Sequence, residues 1–160
     1  MVIYSAAGPR LRNVTRAYGA IARAQWSPTE APRRVDVGDP LFAGQLGPEW
    51  HRIEGRYRWM PRRATLRLGG PRSPEEKLYL SGFCPESHLR KAPVAIRVTV
   101  NGRKLAAATL TEQQFKFFFD LPDDLTDITD LEVMLEVDRV LDPTGDGREL
   151  GLVFGVIAIR

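Results

Sequence analysis

The chain has one cysteine, Cys84, and two histidines, His51 and His88, among 160 residues. An internal disulfide is therefore excluded, and the side chains that build most zinc sites and nucleophile–base pairs are scarce. No Cys-x-x-Cys, His-Glu-x-x-His or Gly-x-Ser-x-Gly spacing occurs. Gly69-Gly70 lacks the lysine and helix of a phosphate loop and reads as a turn, so no cofactor motif is present. Long apolar runs are missing as well. The most apolar stretch, Leu150 to Ile159, falls short of the ~18 to 20 residues of a membrane span and contains glycines, so no membrane insertion is expected. The first residues lack the basic flank and apolar core of a secretory signal, and a soluble, cytoplasmic location is expected unless the chain is a fragment.

Lysine is absent from the first 72 residues, which hold thirteen arginines and five acids for a net +8. The remainder holds ten basic and fifteen acidic side chains, a net −5. Halves of opposite sign attract, so one domain containing both carries surface ion pairs, each worth about 0 to 1 kcal/mol, and a nearly neutral field. The series Arg52, Arg56, Arg58, Arg62, Arg63, Arg67 only loosely fits the concentrated basic face of a polyanion reader, and no nucleic-acid partner is expected.

What the chain has in quantity is punctuation: fourteen glycines and twelve prolines. That composition favours many short elements joined by turns. From Arg62 onward apolar residues recur with period two, as half-buried strands require. Ala64, Leu66 and Leu68 form one such set, Leu78, Leu80 and Gly82 a second, and Val94, Ile96, Val98 and Val100 a third. Asn101-Gly102 then predicts a hairpin into Lys104 to Leu110, because both residues tolerate the positive φ of a type I′ turn. Further strands are expected over Gln113 to Phe119 and Leu131 to Val137, with short ones around Tyr57 to Trp59 and near Leu41. The last segment, Leu150 to Arg160, alternates Leu152, Phe154, Val156 and Ala158 against Val153, Ile157 and Ile159, and predicts a central strand covered on both faces.

About eight strands spaced near ten residues predict an all-β fold, an antiparallel, jelly-roll-like β-sandwich. No connection after Arg62 is long enough for the helices of a doubly wound α/β fold. Residues 1–34 form an N-terminal extension. Val14, Ala17, Tyr18, Ile21, Ala22 and Trp26 recur at helical spacing, which predicts a short amphipathic helix from Asn13 to Trp26, and Ser27 to Pro32 is a Pro-rich linker. Residues 35–160 are the sandwich.

Candidate chemistry is sparse. Cys84 and His88 are separated by Pro85, which works against a helix that would align them, so a buried structural cysteine and a surface-loop histidine are expected. Asp123, Asp124, Asp127, Asp130, Asp142 and Asp146 are oxygen ligands of the type calcium prefers, yet their spacing fits no EF-hand and turn aspartates are commoner, so no metal is expected. Glu49, Glu54, Asp146 and Glu149 are the carboxylates available to a glycosidase, but sequence places no pair at the separation hydrolysis needs. The chain is read as non-catalytic.

The most distinctive stretch runs from Gly47 to Met60 and gathers Trp50, Tyr57, Trp59, His51 and three arginines. Flat rings stack on sugar faces while arginines and carboxylates bond hydroxyls. For Trp59 a core position is expected; for Trp50, in a Gly-Pro-flanked loop, exposure and burial remain open.

Tyr57-Arg58-Trp59, Arg63 to Leu68, Val98-Thr99-Val100-Asn101-Gly102 and Asp146-Gly147-Arg148-Glu149-Leu150-Gly151-Leu152 together resemble β-sandwich appendages of bacterial glycosyltransferases and other sugar-active proteins. Their look is similar to carbohydrate-binding modules of the galactose-binding-like type, over residues 35–160. The resemblance implies a non-catalytic accessory domain and carries no ligand residues over. On this reading Trp50, Tyr57 and Trp59 supply stacking surface, and Glu54, Arg56, Arg58 and Arg148 contact hydroxyls, although Arg148 and Glu149 equally suit cross-strand pairing at the entrance of the last strand. The partner is a carbohydrate, with an upstream domain or a second copy of the chain as further candidates. The alternative function is a protein-interaction or homo-oligomerisation module using the doubly apolar last strand.

Overall fold

The computed structural model describes residues 30–141 and 147–160, with the backbone of residues 5–6 and 8–9. It contains two compact units, Met1–Ala31 and Pro32–Arg160. In the first, Ser5–Ala6 (β1) pairs antiparallel with Gly8–Pro9 (β2). The helix expected from Asn13 to Trp26 lies outside the described residues.

The second unit is an antiparallel β-sandwich. Its strands are Arg34–Asp36 (β3), Arg58–Trp59 (β4), Arg63–Leu68 (β5), Lys77–Phe83 (β6), Val94–Val100 (β7), Arg103–Lys104 (β8), Ala108–Leu110 (β9), Gln114–Asp120 (β10), Leu131–Val137 (β11) and Val153–Ile159 (β12). The front sheet has the order β10-β6-β12-β3, with β4 also on β12; the back sheet runs β5-β11-β7-β8, with β9 also on β7. Successive strands β5, β6, β7, β10, β11 and β12 change sheet, apart from the β7 to β9 hairpin, which gives the jelly-roll-like layering. Among the described residues no helix is long and apolar enough to cross a membrane.

The alternating residues of the back sheet meet in register. Leu68 faces Leu131, Leu66 and Val100 flank Val133, and Ala64 and Val98 flank Leu135, all of them buried. Asn101 and Gly102 take φ values of 48° and 81°, the two positive angles that let β7 turn directly into β8. The Asn101 side-chain oxygen accepts from the Glu132 amide at 2.7 Å and ties that turn to β11.

Two local expectations are corrected. The segment near Leu41 is a 3-10 helix, Pro40–Gln45, because the Asp39 carboxylate accepts from the Leu41 amide and Pro40 fixes the first helical φ. In β12 strict alternation fails. A register shift between Phe154 and Ile157 inserts an extra residue opposite β6, so Phe154 and Ile157 both face the core. On the other side Val153, opposite Phe83, is half-buried and Ala158, opposite Tyr79, is buried, so that side is covered at the end of the strand and only in part at its start. Ser81 closes the gap in the ladder. Its hydroxyl accepts from the Val156 amide at 3.1 Å and donates to the Val156 carbonyl at 3.3 Å.

Gly82 lies beside this irregularity, between Phe115 and Phe154, whose rings meet edge to face at 5.5 Å. A Cβ on Gly82 would stand 2.3 Å from the Val153 carbonyl oxygen and 2.6 Å from Phe115 Cζ. Ion pairs join the arginine-rich first half to the acidic second: Arg33 to Glu76, Arg63 to Glu136 and Arg67 to Asp130.

Gly82→Ala is expected to cost about 1 to 3 kcal/mol in urea unfolding, as overpacking against a backbone oxygen that cannot give way. An unchanged midpoint would show that the two sheets have slack at this position.

Candidate functional site

The outer face of the front sheet holds a half-open groove of about 600 Å³, within the range of small-ligand sites. Its floor comes from small residues at the β12 irregularity, Ser81 and Gly155. Its walls are aromatic and charged. Tyr57 and Arg56 stand on one side, Lys116 and Gln114 of β10 on the other, with Phe83 and Tyr79 of β6 between them. Tyr57 is 44% exposed and Phe83 38%, so both rings present a face to solvent.

The near wall is a two-residue hairpin. Glu54 and Tyr57 exchange backbone hydrogen bonds at 2.8 and 3.2 Å around Gly55, whose φ is 64°, and Arg56. Three features hold it. Arg148 Nη1 donates to Glu54 Oε2 at 2.5 Å, and the Tyr57 hydroxyl lies 3.4 Å from Glu54 Oε1. Gly38 lets the hairpin backbone pack close, since a Cβ there would sit 2.0 Å from the Arg56 carbonyl oxygen.

Of the seven residues that sequence singles out, the structure brings Arg56 and Tyr57 into the groove and places Glu54 and Arg148 behind them as a support. The other three do different work. Trp50 is only 8% exposed; its Nε1 donates to the Thr65 carbonyl at 2.8 Å and its ring meets Phe154 edge to face at 5.9 Å. It is a core residue, and the reading of it as a stacking surface is corrected: a loop indole with a backbone acceptor on β5 packs inward. Arg58 donates to the carbonyls of Val37 and His51 at 3.1 and 3.0 Å, so its guanidinium braces two loops. Trp59 is neither the core residue expected nor a groove residue: it is half-buried on the short β4, opposite Val153 on the outer side of β12.

Sequence reasoning missed the contributions of β6 and β10. Phe118, which breaks the alternation of Phe115, Phe117 and Phe119, is 57% exposed against Tyr79, ring centroids 5.0 Å apart, but lies outside the groove lining.

The remaining candidates are structural. Burial pushes the Cys84 thiol up to about 11, against the opposing charge of Arg139, so it stays protonated and a poor nucleophile. His88 is not a surface residue. It is fully buried on the one-turn helix Glu86–Leu89 (α1), where Pro85 is the N-cap and leaves the helix intact. Arg139 Nη1 donates to His88 Nδ1 at 3.0 Å, which requires the neutral ring. Burial first, and then the Arg139 charge, hold the His88 pKa below the ordinary histidine value, with Asp138 acting in the other direction and Lys91 in the same. The turn aspartates are spent in part on arginines: Asp124 accepts two bonds from Arg103, at 2.7 and 2.9 Å, and Asp130 pairs with Arg67. Asp142 and Asp146 lie outside the described residues, and among those described no group of three side chains is placed to hold a metal ion.

No protein-family model and no curated protein matches the chain. Its fold is similar to part of a GH115 4-O-methyl-α-glucuronidase, BtGH115A, with specificity for decorated arabinogalactans. The TM-score is 0.51 at 9% identity, over 82% of this chain and 18% of that one. An acetyl xylan esterase, Est2A, from the rumen bacterium Butyrivibrio proteoclasticus matches at a TM-score of 0.48 and 10% identity, over 81% of this chain and 33% of that one. The chain therefore spans a third or less of the length of these proteins, and the first likeness shows a shared sandwich fold.

Trp50→Ala is expected to lose about 3 to 5 kcal/mol in denaturant unfolding, the cost of emptying a core aromatic site; a loss under about 1 kcal/mol would contradict the core assignment. His88 favours folding while neutral, so its contribution is complete above about pH 6.5 and declines below that value until the lowered folded pKa is reached. Between about pH 6.5 and 5.5 the decline is expected to be at most about 1.4 kcal/mol. In His88→Asn, which keeps an acceptor for Arg139, stability should be flat over this window; an unchanged slope would assign the proton to another group.

Proposed function

We propose that the Pro32–Arg160 sandwich is a non-catalytic carbohydrate-binding domain, an accessory to a sugar-active enzyme, with its ligand in the front-sheet groove. The observation that carries this reading is the groove itself: exposed flat rings of Tyr57 and Phe83 beside Arg56, Gln114 and Lys116, over a floor of Ser81 and Gly155. Sugars present an apolar ring face and a rim of hydroxyls, and a site for them pairs aromatic surface with a few polar groups. The Glu54–Arg148 pair behind Tyr57 holds the hairpin in place before ligand arrives, which lowers the ordering cost of binding. The sandwich it shares with part of a glucuronidase supports the same reading at the level of fold.

A second reading has its own observation. Phe118, 57% exposed, lies on the same sheet face against the buried Tyr79, with the Arg160 guanidinium 3.9 Å from the Tyr79 ring centroid. Such a patch also suits a protein partner or a second copy of the chain. Ile157 cannot test that reading, since it is fully buried and a charge there would unfold the domain.

A glycan array of the intact chain beside Tyr57→Ala and Gly155→Val separates the two. Gly155 has no positive φ and an added Cβ would make ordinary contact with Ser81 at 3.6 Å, so valine fills the groove floor without straining the core. Both variants should stay folded and lose binding by about tenfold or more. Undiminished binding in Gly155→Val would move the ligand elsewhere. A chain that binds no glycan and forms dimers that Phe118→Lys dissociates would establish the interaction module.

A further inference from the structure

The groove carries charge as well as flat rings, and its charges are uncommitted. Some cations elsewhere on the sandwich are tied to acids: Arg63 and Arg97 share Glu136, Arg103 clasps Asp124, and Arg148 holds Glu54. Arg56 and Lys116 are not tied in this way, and unlike the unpaired Arg34, Arg52, Arg72 and Lys104 they line the groove. Both are exposed, and neither takes part in an ion pair or a side-chain hydrogen bond among the described residues.

They also stand on opposite walls. Lys116 is in register with Ser81 at the floor, on the far side, and Arg56 sits at the tip of the near hairpin. β6 and β12 lie between, so the two backbones are separated by about three strand spacings, roughly 14 Å. Two long side chains, one on either side of that interval, have the reach to meet a ligand seated over Ser81 and Gly155. One acid, Glu112, lines the groove against these two cations, which leaves the lining with a positive balance.

Resting on the carbohydrate reading above, we infer that the groove takes an acidic saccharide, a uronic acid whose ring lies on Tyr57 or Phe83 and whose carboxylate is met by Arg56 and Lys116. Hydrogen bonds between ionised partners are roughly twice as strong as neutral ones, and the arginine fork matches a carboxylate with two parallel bonds. Glu112 and Gln114 are left for hydroxyls, which can donate to a carboxylate and either donate to or accept from an amide.

The test is calorimetric titration of the intact chain with a panel of uronic-acid oligosaccharides, each beside its carboxyl-reduced neutral form, at low salt and at about 0.5 M salt. Acidic members should bind at least about tenfold more tightly than their reduced forms. The gap should narrow at high salt and close in the Arg56→Gln, Lys116→Gln double variant, whose melting curve checks that these exposed changes leave the fold intact. Equal binding of acidic and reduced forms would overturn this inference and leave the carbohydrate groove standing. Binding of neither form would overturn both.

Discussion

The middle of the front sheet depends on one surplus residue in β12. Between Phe154 and Ile157 the strand has more chain than β6 can pair with, and the Ser81 hydroxyl takes over the hydrogen bonding that the ladder loses there. Without the surplus, Phe154 and Ile157 would point to opposite faces, and one large side chain would be left in water at a cost of about 1.5 to 3 kcal/mol. With it, both enter the core, where Phe154 meets Phe115 and Trp50 edge to face. The same displacement leaves Gly155 on the outer surface with no side chain, so the feature that completes the core also empties the groove.

Strand positions were largely legible because each sheet has one dry face. The period-two sets of β5, β6, β7 and β11, and the Asn101-Gly102 turn, express a constraint that acts on every second residue and needs no knowledge of the partner strand. Positions that depend on a distant partner were not legible. Trp50 is buried because a carbonyl fifteen residues away on β5 accepts its N–H, and Arg58 is committed because two loop carbonyls converge on it. His88 reads as a loop residue until Arg139, far along the chain, is seen to donate to its ring. The groove was half legible. Arg56 and Tyr57 stand in a segment whose composition draws attention, whereas Ser81, Lys116 and Gly155 are ordinary strand residues until the bulge and the sheet order bring them to one place.

The hairpin carrying Arg56 and Tyr57 has little freedom of its own. Its backbone bonds close a two-residue turn, Gly38 admits it to close packing, and the Arg148 guanidinium holds Glu54 from the far end of the chain. A wall fixed at both its backbone and its side chains presents Tyr57 in one orientation, which a stacking surface requires.

The strand order also dictates when this molecule can become folded. The early strands β3, β4 and β5 have no sheet partners among themselves: β3 and β4 pair with β12, and β5 pairs with β11. Residues 1–72 carry a net charge of +8 and contain none of the partners their sandwich strands require. The sheets can close only around β11 and β12, the last two strands of the sandwich, so closure over long loops weighs on the folding rate. Until then the arginine-rich half is an open polycation that repels itself, and three of its arginines, Arg33, Arg63 and Arg67, still lack the carboxylates of Glu76, Glu136 and Asp130 that they pair with in the sandwich.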